Sequence, residues 1–155
     1  MYDARNLDEI ASALIDLTGC LNSPRQDEVL LGAAGVSLDR ALFPLLVRLS
    51  AAGTLSVALL AEQVGRDPST VSRQLAKLEQ LGLVKRPSAQ EDQRVRAAVI
   101  TKAGSRTIAA IAGARRKLLG ELIADWSEDE RRMFPLLVQK LADAMKEKQT
   151  APKSD

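Results

Sequence analysis

Two short stretches with helical apolar periodicity, Ser56–Val64 and Pro68–Leu81, flank a three-residue connection, Gly65-Arg66-Asp67, and nothing else in the chain restricts the fold as much. Val57, Leu60, Ala61 and Val64 recur at the spacing of one helix face, and so do Val71, Leu75, Leu78 and Leu81. Asp67 is placed to cap the second helix, with Pro68 at its first position, where a missing N–H costs nothing. Gly82 can supply the left-handed residue that closes it. Two short helices around a glycine-containing turn make a helix-turn-helix.

Beyond this helix pair the chain changes period. Leu83–Arg86 reads as a short strand, 87–93 as a polar connection, and Arg94–Ile100 as a strand with Val95, Ala97 and Val99 on one face. The two strands predict a β-hairpin, a wing, directly after the second helix. Thr101 caps a long helix to about Asp125, whose apolar side carries Ile108, Ile111, Leu118, Leu119, Leu122 and Ile123. Ser127 and Glu130 form a capping box that opens a last helix to about Lys148, interrupted at Pro135.

Upstream, Leu7, Ile10, Ala11, Leu14, Leu17 and Leu21 mark a first helix that Asn22-Ser23-Pro24 ends. A short helix over Gln26–Leu31 precedes a break at 32–35. Ser37 is then expected to cap a helix with Leu38, Leu42, Leu45, Leu46 and Leu49 inward, which Pro44 should kink or start later. Leu42–Val47 echoes Met133–Val138, but two short copies do not make a repeat architecture.

Composition excludes several kinds of chemistry. The 155 residues contain no histidine, which removes histidine-dependent triads and zinc–histidine sites, and only 3% aromatic residues, which leaves an aliphatic core. The single Cys20 allows no internal disulfide and reads as a plain buried thiol, flanked by Gly19 and Leu21 and with no second cysteine to resolve an oxidised form. The apolar run around Ala51–Ala61 is shorter than the roughly 18 residues of a membrane helix. Asp3, Arg5 and Asp8 near the start do not suit a signal peptide, so the expected compartment is the cytoplasm. Net charge is only +2, but it is uneven: residues 1–53 carry −3, residues 54–102 carry +3 and residues 103–155 carry +2. An anionic partner would therefore dock on the middle third.

Three segments resemble the multiple antibiotic resistance regulator (MarR) family of bacterial transcription factors. Asp67-Pro68-Ser69-Thr70-Val71-Ser72-Arg73 is similar to that family's recognition-helix opening, and Leu78-Glu79-Gln80-Leu81-Gly82-Leu83-Val84 to its passage into the wing. Asp92-Gln93-Arg94, followed by Ile100-Thr101-Lys102-Ala103-Gly104, is similar to its wing tip and the start of the next helix. Gln93 and Lys102 depart from the family's usual arginine and glutamate. The resemblance implies a mainly α (α+β) winged helix-turn-helix over residues 36–104. Dimerisation helices would occupy 1–35 and 105–149, and a flexible tail 150–155. It further implies a homodimer on pseudo-palindromic duplex DNA, most often a repressor, released in many members by a small molecule. Neither a cofactor nor an enzymatic activity is expected, and the effector has no identity from sequence. A winged helix serving as a protein-interaction or RNA-binding module is the alternative.

On this reading Ser69, Thr70 and Ser72 offer a small polar first turn that approaches bases and phosphates closely. Arg73 suits either a bidentate guanine contact or a phosphate, Gln74 could read adenine, and Lys77 is better placed for the backbone. Arg66, in the turn, and Arg86 and Arg96, beside the wing, are expected on phosphates; Lys85 adds charge. In the family an arginine at the position of Arg94 enters the minor groove, where Asp92 would brace it. Leu7, Ile10, Leu14, Leu118, Leu122, Trp126, Leu137 and Leu141 are the candidate dimer interface, since isolated terminal helices could not otherwise hide such surface. Glu128, Asp129 and Glu130 read as first-turn helix acids rather than metal ligands.

Overall fold

A computed structural model describes residues 3–53, 55–86 and 97–150. It has seven helices among the described residues: α1 (Ala4–Leu21), α2 (Pro24–Ala33), α3 (Phe43–Ala52), α4 (Val57–Val64), α5 (Pro68–Gln80), α6 (Lys102–Leu122) and α7 (Glu128–Thr150). Two short strands, β1 (Val84–Lys85) and β2 (Val99–Ile100), lie between α5 and α6 and pair antiparallel, Val84 opposite Ile100 and Lys85 opposite Val99. The chain divides into two compact units, Met1–Arg116 and Lys117–Asp155.

The core of the first unit is aliphatic, as the composition requires. Leu45, Leu46 and Leu49 of α3, Leu60 and Ala61 of α4 and Val71, Leu75 and Leu78 of α5 bury one continuous cluster that Val84, Ala97 and Ala98 complete. A second, smaller cluster joins α2, α3 and α6 through Leu31, Phe43 and Ile111. Helix α5 thus gives one face wholly to the core and presents the other to solvent.

Local chemistry explains where these elements start and stop. Ser56 caps α4 by accepting from the Leu59 N–H at 3.1 Å. Gly65 and Gly82, at φ +64° and +72°, take the left-handed conformation that ends α4 and α5. After α5 the Gly82 N–H reaches the Glu79 carbonyl (2.9 Å) and the Leu83 N–H the Leu78 carbonyl (3.0 Å), so the chain turns sharply into β1. The start of α6 is tied to that corner. The Thr101 N–H donates to the Leu83 carbonyl at 3.1 Å, its hydroxyl donates to the Gly82 carbonyl at 2.6 Å, and the same oxygen caps the Gly104 N–H at 3.1 Å. A Cβ on Gly104 would lie 2.1 Å from the Leu83 carbonyl oxygen, so only glycine lets α6 come this close. The Ala97 N–H donates to the Leu55 carbonyl, which fastens the segment just ahead of β2 to the loop before α4.

Several expectations are corrected. Ser37 does not cap α3: the helix starts at Phe43, with Pro44 in its first turn, and Asp39 organises the preceding turn by accepting from the Ala41 N–H at 2.8 Å. Helix α2 begins at Pro24 rather than Gln26 and extends to Ala33. Leu81 caps α5 and is exposed, because the turn into Gly82 carries it off the core face. Just ahead of β2 both Ala97 and Ala98 are buried, while Val99 is exposed; the side chains of 97–100 do not follow the expected alternation. Helix α7 continues through Pro135, which gives up one intrahelical hydrogen bond without ending the helix. Cys20 is exposed, not buried, because α1 buries none of its residues.

The second unit contains the end of α6 and all of α7. The capping box is realised: the Glu130 N–H donates to Ser127 Oγ at 3.2 Å, and the Ser127 N–H donates to Glu130 Oε2 at 2.7 Å. Trp126 and Phe134 meet edge to face at 5.0 Å between ring centroids. Met133, Phe134, Leu136, Leu137, Val138, Leu141 and Met145 all remain exposed. Among the described residues no helix is long and apolar enough to cross a membrane.

Candidate nucleic-acid interface

The outward face of α5 is built from its cap upward. Asp67 holds the N-terminus: its Oδ1 accepts from the Thr70 N–H at 2.9 Å and from the Ser69 hydroxyl, and its Oδ2 accepts from the Thr70 hydroxyl at 2.6 Å. Three hydrogen bonds to the charged form, those from the Ser69 and Thr70 hydroxyls above all, hold the Asp67 carboxyl well below the usual carboxylate range. Thr70 Oγ1 in turn accepts from Arg73 Nη2 at 3.2 Å. Arg73, Thr70 and Asp67 therefore form one chain on the exposed first turns, with the guanidinium drawn over the helix N-terminus. The hydroxyl protons of Ser69 and Thr70 are already given to Asp67, so toward an incoming group these residues offer oxygen acceptors, while Arg73 keeps free donors. Lys77 stands exposed one turn further along.

Two arginines grip the flanks of the same helix. From the α4–α5 turn, Arg66 Nη1 donates to the Ala41 carbonyl at 2.6 Å and to Gln74 Oε1 at 2.9 Å. From the end of β1, Arg86 Nη2 donates to Ser72 Oγ at 3.1 Å and its Nη1 to the Ser72 carbonyl at 3.5 Å, while its backbone N–H donates to Glu79 Oε1 at 3.0 Å. Both arginines are half-buried, unlike the exposed Arg73. The structure thus sorts the expected contact residues into two groups. Ser69, Thr70, Arg73 and Lys77 share the outer face; Arg66 with Gln74, and Arg86 with Ser72, are paired along its two edges. Asp92, Arg94 and Arg96 lie outside the described residues, as do Val95 and the tail after Thr150.

Sequence reasoning missed the other halves of these clasps. The Ala41 carbonyl, a backbone atom 25 residues before Arg66, leaves no trace in composition or periodicity. Glu79, seven residues before Arg86, also has no spacing rule to announce it, because a helix end and a turn intervene. The packing reason for Gly104 was equally hidden, since the backbone that a Cβ there would strike lies 21 residues back, at Leu83.

A helix capped and clasped on both edges, packed on its apolar side and followed by a strand pair, defines a winged helix-turn-helix, a DNA-binding class of fold. Comparisons with known proteins agree. The MarR family model matches residues 38–95. YxaD of Bacillus subtilis (strain 168), an HTH-type transcriptional regulator, is 36% identical over 108 residues, covering 70% of this chain and 76% of that protein. Among solved structures, a MarR family protein from Bacillus stearothermophilus superposes with a TM-score of 0.79 at 22% identity, covering 94% of this chain and 99% of the other. The chain RV1404 from Mycobacterium tuberculosis does so with a TM-score of 0.71 at 22% identity, covering 93% and 95%. The chain belongs to the MarR family, whose members are DNA-binding transcriptional regulators and not enzymes.

Proposed function

We propose that the protein is a repressor that binds a pseudo-palindromic operator as a homodimer, with the outer face of α5 in the major groove of each half-site. The observation that carries this reading is the polar outer face of α5, with Arg73 and Lys77 exposed on a helix whose inner face is fully committed to the core. Arg73 reads a base edge or holds a phosphate, Lys77 holds a phosphate, and Ser69 and Thr70 let the helix approach closely. Arg94 enters the minor groove, braced by Asp92, and Arg96 adds a phosphate contact. The two half-sites lie about one helical turn, roughly 10 bp, apart.

Dimerisation is supported by apolar surface that a single chain leaves open. Leu7 and Ile10 on α1, Leu122 on α6 and Leu137 and Leu141 on α7 are all exposed, and Leu14, Leu118 and Trp126 are only half-covered. A second copy presenting the same stripes would bury them. Release by a small-molecule effector belongs to the same reading.

Selection of bound duplexes from a randomised pool tests the proposal. The expected result is an enriched inverted repeat; retention without a motif would mean nonspecific or architectural DNA binding, and no retention at low salt would leave the protein-interaction reading in its place. Once the motif is known, Arg94→Ala should weaken binding to it about tenfold or more while leaving the dimer intact by sedimentation. An unchanged affinity would remove Arg94 from the minor groove.

A further inference from the structure

Asp67 decides what the hydroxyls at the start of α5 have left to offer. A hydroxyl has one proton and two lone pairs, so once the proton is given away only acceptors remain. The Ser69 hydroxyl lies against Asp67 Oδ1, and the Thr70 hydroxyl against Oδ2 at 2.6 Å. The Asp67 carboxyl stays ionised to well below the usual carboxylate range, so both of its oxygens only accept and both hydroxyls are the donors. The Thr70 N–H, 2.9 Å from Oδ1, completes the set. Ser69 Oγ is exposed and keeps two lone pairs, since no described residue donates to it. Thr70 Oγ1 keeps one, the other being taken by Arg73 Nη2 at 3.2 Å.

This arrangement is a poor seat for a phosphate. A phosphate oxygen would meet hydroxyl oxygens with no proton to give and the Asp67 carboxylate beside them, acceptor against acceptor and anion against anion. The backbone offers little in return: Pro68 has no N–H and the Thr70 N–H is taken, which leaves that of Ser69 alone. What the two oxygens suit is a neutral N–H donor. In the major groove such donors are the N6 amine of adenine and the N4 amine of cytosine, whereas guanine O6 and N7 and thymine O4 are acceptors. Each base pair carries one such amine, so an acceptor facing one strand separates adenine or cytosine there from guanine or thymine.

We propose that Asp67 is a positioning residue for specificity: by taking both hydroxyl protons it makes Ser69 and Thr70 readers of a base amine, on adenine or cytosine of the strand they face. This rests on the DNA-binding reading above and names what the first turn of α5 recognises. It narrows the expectation for both residues from bases and phosphates to base amines.

The test repeats the selection from randomised duplexes with three variants of the full-length protein, each checked for folding by thermal unfolding. Ser69→Ala and Thr70→Val each remove one reader. Each should flatten a position at which the unsubstituted protein prefers adenine or cytosine over guanine or thymine, by about fivefold. Asp67→Asn separates polarity from capping. Asparagine caps a helix as well as aspartate does, and its Oδ1 can keep both the Thr70 N–H and the Ser69 hydroxyl. Its Nδ2 replaces Oδ2 and donates to Thr70 Oγ1, which fills the second lone pair beside Arg73 and releases the hydroxyl proton. In Asp67→Asn the position flattened by Thr70→Val should therefore reverse toward guanine or thymine, while the Ser69 position holds.

Guanine or thymine at these positions in the unsubstituted protein overturns the inference, and so does an Asp67→Asn motif identical to the parent's. Weakening by Ser69→Ala and Thr70→Val that is uniform across sequences would make the hydroxyls backbone contacts instead. A motif that neither of these two variants alters overturns this inference alone. The absence of any motif overturns the operator reading, and this inference with it.

Discussion

Helices α5 and α7 carry the same kind of apolar stripe and meet opposite fates. In α5, Val71, Leu75 and Leu78 are completely buried, and the polar side is organised by a cap and two arginine clasps. In α7 no described residue is buried, and Phe134, Leu136, Leu137 and Leu141 stay open to solvent. An amphipathic pattern alone therefore does not say what a helix packs against. The stripe on α5 closes on three neighbours contributed by its own chain, α3, α4 and the hairpin. The stripe on α7 exceeds what its own unit covers, and on the proposed reading that difference gives one helix to the DNA-binding site and the other to assembly.

The sharpest way to break that contrast is to charge the open stripe. Leu137→Glu combined with Leu141→Glu should yield a monomer by sedimentation equilibrium, since burying two unpaired carboxylates in an interface costs several kcal/mol each. The monomer should lose operator binding while α3–α5 keep their protection from hydrogen exchange. A double variant that still sediments as a dimer would move the interface elsewhere. Truncating the closed stripe should have the opposite profile. Leu75→Ala, in a site with no exposure at all, is expected to destabilise the first unit by about 2–5 kcal/mol in chemical denaturation, and the α5–β1 corner should follow through Gly104→Ala at about 1–3 kcal/mol. A Gly104→Ala protein as stable as the parent would show that α6 can retreat from the Leu83 carbonyl.

The smallest effect concerns the cap. The folded-state pKa of Asp67 is depressed, so its contribution is fully present above the unfolded value, near pH 4, and is lost as the pH falls below it. Asp67→Asn should therefore narrow the difference in melting temperature between pH 7 and pH 3. It should also loosen Thr70 and, through it, Arg73. A melting curve whose acid dependence is unaltered by the substitution would mean that other carboxylates dominate the acid limb.

The features legible in the sequence were short-range. Asp67 before Pro68, Ser127 with Glu130, and Gly82 after α5 all act within four residues of their partners, and each sits where its residue type and spacing place it. Thr101 as the cap of α6 follows the same rule. Ser37 misled because Asp39, two residues later, and Pro44 together reset where α3 could begin. Val99 misled because alternation assumes a regular strand, whereas the chain at Ala97 turns aside to reach the Leu55 carbonyl, and both alanines go inward. Cys20 looked buried because its helix is apolar on one face, a face that the chain itself does not cover. At the interface the same boundary holds. The outer residues Ser69, Thr70, Arg73 and Lys77 follow from helical periodicity, but the inward turn of Arg66 and Arg86 depends on partners brought in by the tertiary fold.

The contact of Gly104 with the Leu83 carbonyl has a mechanical meaning. Packing elsewhere is cushioned by side chains that can change rotamer, but here a helix backbone bears directly on the backbone of the turn between α5 and β1, with two hydrogen bonds from Thr101 crossing the joint and the Gly104 N–H closing on the Thr101 hydroxyl. A contact of this kind leaves little slack, so the first turn of α6 and the turn into β1 are expected to shift together rather than independently.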